Sequence, residues 1–151
     1  MANENELAVA SRAGTIRLEV VTPEGAAIRV DVDQVEAPSV NGEFGVLPGH
    51  LPLLAAMRPG VVRYRSAGKT LAAAVGSGFA EAGPDRMAIL TDRCIDGKDV
   101  DVADVRTQLD AASRKVDAWG DAAEGPAFEE LSRAVQWFQA QLDAARELGR
   151  V

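Results

Sequence analysis

From Thr15 to about Thr91 the apolar residues of this chain recur at every second position, in short runs broken by turn signals. Ile16, Leu18 and Val20 alternate with Arg17 and Glu19, and Ile28, Val30 and Val32 alternate with Arg29, Asp31 and Asp33. An extended backbone sends successive side chains to opposite faces, so each run has one inward and one outward side. Val62 and Tyr64, alternating with Arg63 and Arg65, the small-residue run Leu71 to Val75, Phe79 to Ala82, and Met87 to Leu90 read as further strands. Thr22-Pro23-Glu24-Gly25, Ser66-Ala67-Gly68-Lys69 and Gly83-Pro84-Asp85 carry the residues that turns require. Many short strands joined by tight turns predict an antiparallel β-sandwich or barrel.

After Val100 the period becomes helical. Val102, Val105, Leu109, Ala112, Val116 and Trp119 follow one another at spacings of 3, 4, 3, 4 and 3, which is one stripe on a helix. Phe128, Leu131, Val135, Phe138, Leu142 and Ala145 repeat those spacings, and two matching stripes predict a helical hairpin. Asp101, with Asp104 three residues on, suits the start of the first helix; Gly120 suits its end and Pro126 the first turn of the second. Residues 120 to 126 are then the connection. A lone two-helix hairpin buries one seam only, so it needs a further surface to rest on. The predicted fold is α+β, with a tail over 1–13, a sandwich over 14–97 and a hairpin over 98–151, joined at Gly97-Lys98-Asp99.

The chain has 151 residues, 47% of them hydrophobic and 26% charged, which suffices for a buried core. A formal charge of −7 opposes general affinity for nucleic acid or anionic lipid. No run of about 20 apolar residues is available for a membrane span, so direct lipid insertion is not expected. Glu4 and Glu6 stand where a targeting peptide would carry bases, and the lone Cys94 forms no internal disulfide; both fit an intracellular protein.

Reaction chemistry is scarce. The single histidine, His50, lies in Pro-Gly-His-Leu-Pro and, with one cysteine in the chain, falls short of the usual zinc ligand sets. A structural or interface role fits it better than that of a general base. Gly76-Ser77-Gly78 begins like a dinucleotide fingerprint but lacks its third glycine and its following helix, so a strand bend with close backbone packing is the better interpretation. No catalytic residue, metal site or cofactor is expected. Leu51, Leu53, Leu54 and Met57 are open to two interpretations, a partner-facing patch or core. Trp137, one position off the second stripe, is a partner anchor or a wedge against its own fold.

Gly42-Glu43-Phe44-Gly45-Val46-Leu47-Pro48-Gly49-His50-Leu51-Pro52-Leu53-Leu54, followed by Arg58-Pro59-Gly60-Val61-Val62, has the composition of a shaped surface loop. In its order it resembles the epsilon-subunit family of the rotary ATP synthases. That resemblance implies a sandwich followed by a two-helix hairpin, and a non-catalytic rotor part of the central stalk at the cytoplasmic face of a bacterial plasma membrane. Its implied partners are the gamma subunit, the polar loops of the membrane c-ring and, through the hairpin, the beta subunit. Gly42, Glu43 and His50 match the ring-contact motif, while Asn41 stands where some relatives have an acid. The family's nucleotide motif of Ile or Leu, Asp, two variable residues, Arg and Ala falls on Val100 to Val105. Asp101 is retained, but Asp104 replaces the arginine and Arg106 lies two residues beyond it. A carboxylate in place of a guanidinium fork repels a triphosphate, so weak or absent ATP binding is expected. Arg133, Arg146 and Arg150 are the bases available for the catalytic head, outweighed by Glu129, Glu130, Asp143 and Glu147, which predicts weak inhibition. The alternative is a stand-alone nucleotide-sensing module. A small sandwich enzyme is disfavoured by the missing histidines.

Overall fold

A computed structural model of the chain describes residues 14–120 and 122–151; the tail expected over 1–13 lies outside these residues. Ten strands are described. They are β1 (Ile16–Thr22), β2 (Gly25–Val32), β3 (Gln34–Ser39), β4 (Gly42–Val46), β5 (Leu53–Met57), β6 (Gly60–Ser66), β7 (Lys69–Val75), β8 (Gly78–Ala82), β9 (Arg86–Thr91) and β10 (Cys94–Asp96). A 3-10 turn, Gly97–Asp99, leads to α1 (Val102–Asp117) and α2 (Pro126–Glu147).

The strands form two five-stranded sheets, β2-β1-β9-β8-β5 and β10-β7-β6-β3-β4. The period-two alternation is what lets them close on each other: Ile16, Leu18, Val20, Val32, Val35, Val62, Met87 and Ile89 are wholly buried between the sheets. Pairing is antiparallel throughout except where β1 meets β9 in parallel inside the first sheet. Alternation cannot report this, because it has the same period in either direction. The Gly76 to Gly78 bend is close-packed as expected. A Cβ on Gly78 would lie 1.8 Å from the Leu90 carbonyl oxygen, and one on Gly76 would lie 1.9 Å from Asp92 Oδ1.

The helices start and stop where their chemistry places them. Asp101 caps α1 by accepting from the Asp104 N–H at 3.1 Å, Gly120 follows the helix with φ of 79°, and Pro126 opens α2. The two stripes meet along α1 and α2, with Val105, Leu142 and Ala145 buried among Val100, Leu109 and Phe138. At the hairpin tip the rings of Trp119 and Phe128 lie 5.6 Å apart. α2 carries a second buried face that the stripe omitted. Ala140 and Ala144 pack on Val61, Ala72 and Ala74 of the second sheet, with Trp137 beside them, so Trp137 is a wedge against its own fold. The Gly97–Asp99 joint is likewise packed: a Cβ on Gly97 would stand 2.7 Å from the Ala144 carbonyl oxygen.

Candidate functional site

The segment from Asn41 to Leu54 is not one loop. Glu43 and Gly45 point outward while Val46 is buried and Phe44 packs on the core, so Gly42–Val46 pairs with β3 as a strand. Ser39 shapes the turn before it, donating its hydroxyl to the Gly42 carbonyl at 2.6 Å and accepting from the Asn41 N–H at 3.2 Å. Gly42, with φ of 118°, takes a conformation costly for any other residue there. Asn41 and Gly42 therefore form a tip at one end of β4, and His50 lies past its other end. The intervening Leu47 to Pro52 stretch turns on Gly49, with φ of 86°, and is tied to the β8–β9 turn by the Gly49 N–H donating to the Pro84 carbonyl at 2.6 Å. His50 donates from Nδ1 to the Leu51 carbonyl at 2.5 Å, since a carbonyl can only accept.

Glu43 is exposed and already partnered. Arg63 on β6 donates from Nη1 to Glu43 Oε1 at 3.1 Å and from Nε to Glu147 Oε1, at the end of α2, at 2.7 Å. Partial burial alone would lower the Arg63 pKa, but the hydrogen bonds to Glu147 and Glu43 outweigh it and the pKa is raised, so the guanidinium stays charged.

An apolar row crosses the outer face of the first sheet. Register sets Ala56 against Phe79, Phe79 against Leu90, and Leu90 against Val21. Val40 continues the row, its N–H donating to the Ala56 carbonyl at 2.9 Å. Phe79 and Leu90 are 59% and 57% exposed, and Leu54 beside them is 72% exposed. A shallow groove of about 350 Å³, lined by Val21, Pro23, Gly78 and Leu90 among others, extends the row. The four residues left open in the sequence divide: Met57 is core and Leu53 packs on it, whereas Leu51 and Leu54 face outward. Phe79 and Leu90 escaped notice in the sequence because their neighbours share their apolar character. The usable signal was their parity, opposite to that of Ala80 and Ile89.

The hairpin residues do not converge. Asp101 is consumed as a helix cap, Asp104 accepts from Gln108, and Arg106 is exposed on α1; none of the three lines a described cavity. Arg133 borders a cleft of about 320 Å³ between α2 and the sandwich, where Arg93 lies 5.2 Å from the Trp137 ring. Arg146 pairs with Asp143 at 3.0 Å. Arg150, though exposed, donates from Nη1 to the carbonyls of Gly97 at 2.6 Å and Val100 at 2.9 Å.

Burial, helped by Asp96, pushes the Cys94 thiol up to about 11, so it is protonated and a poor nucleophile near neutrality. Among the described residues no three His, Cys, Asp or Glu side chains are grouped to hold a metal. No described helix is long and apolar enough to cross a membrane.

Residues 15–97 match the family model described as the β-sandwich domain of the ATP synthase delta/epsilon chain. The chain is 42% identical over 130 residues to the ATP synthase epsilon chain of Magnetococcus marinus, covering 86% of this chain and 93% of that one. It is 40% identical over 104 residues to the epsilon chain of Anoxybacillus flavithermus, covering 69% and 78%. Among solved structures, a chain in the mitochondrial ATP synthase of Euglena gracilis, from a cryo-EM structure of its OSCP, F1 and c-ring, superposes with a TM-score of 0.73 at 21% identity. That match covers 87% of this chain and 81% of that one.

Proposed function

Because this chain belongs to the ATP synthase epsilon-chain family, we propose that it is a non-catalytic rotor part of the central stalk, which couples proton translocation to ATP synthesis by joining the gamma subunit to the membrane ring. The family model spans the sandwich strands, and relatives named ATP synthase epsilon chain cover most of the chain. A torque-bearing coupling needs a stiff body with broad complementary surfaces, and needs no reactive pocket.

The observation that carries the docking role is the apolar row Val40, Ala56, Phe79, Leu90 and Val21. Exposed apolar side chains this continuous on a folded sheet mark a surface that a partner covers. We assign it to the gamma subunit. Asn41, Gly42, Glu43 and His50 are assigned to the polar loops of the ring, with Glu43 as the charged contact. Assembly through these surfaces would hold the chain at the cytoplasmic face of a bacterial plasma membrane.

For the hairpin we propose a weak regulatory part. Arg133, Arg146 and Arg150 are all exposed; Arg133 and Arg146 are the ones offered to the beta subunit, since Arg150 already holds the Gly97 and Val100 carbonyls. Asp104 in the arginine position disfavours ATP, so titration calorimetry of ATP into the purified chain should give no micromolar binding. The decisive experiment is capture of this chain by purified gamma subunit. The double variant Phe79→Ser, Leu90→Ser should bind on the order of tenfold or more weaker. Unchanged affinity would remove gamma from this face.

A further inference from the structure

Arg63 sits on β6, on the sheet face that α2 covers, and its guanidinium serves two elements at once. Glu43 lies on β4, at the edge assigned above to the ring, and Glu147 is the last residue of α2. Side-chain exposure is 27% for Arg63, 35% for Glu147 and 53% for Glu43, so Glu43 is the more accessible of the two carboxylates to a partner. Two carboxylates on one cation leave the trio with a surplus negative charge.

We propose that this trio couples the β4 edge to the posture of the hairpin: a cationic partner group that engages Glu43 tightens the hold of α2 on the sandwich. The sign follows from Coulomb's law. When α2 docks, Glu147 gains Arg63 but is also brought toward Glu43, and that repulsion offsets part of the attraction. Neutralising Glu43 from outside removes the repulsion and leaves Arg63 to Glu147. The leverage is adequate because the fully buried part of the dock is built from small side chains, Ala72, Ala74, Ala140 and Ala144 with Val61, and the larger Ile95, Trp137 and Leu148 are only partly buried around them. Arg150, on the Gly97 and Val100 carbonyls, is a separate tie near the same end of α2 and shares no partner with the trio. The identity of the partner group rests on the ring assignment above; the trio does not.

Hydrogen exchange of the 140–147 amides in the full chain, at low salt, tests the trio. Arg63→Gln and Glu147→Gln should each speed exchange about two- to fivefold, the range for partly exposed ion pairs, with β-strand amides unchanged as the folding control. Glu43→Gln should slow exchange by a comparable factor. All three effects should shrink above ~0.5 M salt. Arg150→Gln should speed exchange while leaving the response to Glu43→Gln intact. Faster or unaltered exchange in Glu43→Gln overturns the proposal, as does unaltered exchange in both Arg63→Gln and Glu147→Gln. Binding of Glu43→Gln to the membrane ring is measured separately: undiminished affinity, with the exchange pattern as expected, would remove the ring assignment and leave the trio standing.

Discussion

Between the two sheets the contact is made by Ile16, Leu18, Val20, Met87 and Ile89, all wholly buried. Between the second sheet and α2 it is made by Ala72, Ala74, Ala140 and Ala144, with Val61, two half-buried side chains on α2's side of the seam, Trp137 and Leu148, and a ring of polar ties from Arg63 and Arg150. Long branched side chains bury much area each and interlock, so the sandwich resists shear. Alanines let a helix lie close to a sheet but gain little per residue, and ion pairs in contact with solvent add about 0–1 kcal/mol each. One chain thus carries a body built for stiffness and an arm held by lesser forces. α1 is attached more lightly still, since it reaches the rest of the molecule mainly through α2.

The largest effect should come from opening the body. Ile89→Ala removes a branched side chain with no exposure and should cost about 2–5 kcal/mol in chemical denaturation, with strands and helices lost together because the arm has no other surface to rest on. Helices that outlast the strands would contradict this ordering. Next is the joint: Gly97→Ala sets a Cβ 2.7 Å from the Ala144 carbonyl oxygen and should cost about 1–3 kcal/mol. In hydrogen exchange the α2 amides should lose protection and those of β1 and β9 should keep it. Equal loss in both would mean that body and arm are one cooperative unit.

Alkaline pH comes next and should act on the body, where both of the groups that titrate there lie. Burial, then Asp96, raises Cys94 from 9.0 to about 11, and burial with Asp96 and Cys94 raises Tyr64 from 10.0 to about 12. Both groups hold their proton more tightly folded than unfolded. Their contribution is therefore complete below pH 9 and falls as pH climbs toward 11 to 12. Tyr64→Phe combined with Cys94→Ala should flatten this alkaline decline; an unchanged slope would assign it to other groups. The smallest change is Asp101→Ala, which removes the α1 cap at a cost of about 1 kcal/mol and should fray the first turn of α1 without altering sandwich stability.

Much of this architecture was legible beforehand. Strand faces followed from alternation, because Leu18 and Arg17 cannot exchange sides without burying a charge. Helix ends followed from Asp101 and Pro126, because their preferences are local and need no knowledge of the rest of the chain. The site was less legible. Asn41 and Glu43 are exposed, yet the stretch from Asn41 to His50 reads as one glycine-rich loop, and pairing with β3 divides it. Arg150 resembled a free base until the Gly97 and Val100 carbonyls came within its reach.

The sequence alone determined the periods, the turn positions, the caps and the family, all of which depend on residues near one another in the chain or on their order. Tertiary structure alone decided that Phe79 and Leu90 form an exposed row, that α2 has a second buried face of alanines, and that Arg63 serves Glu43 and Glu147 together. Each of these depends on which strand lies beside which and on what covers each face, and a one-dimensional pattern holds neither quantity.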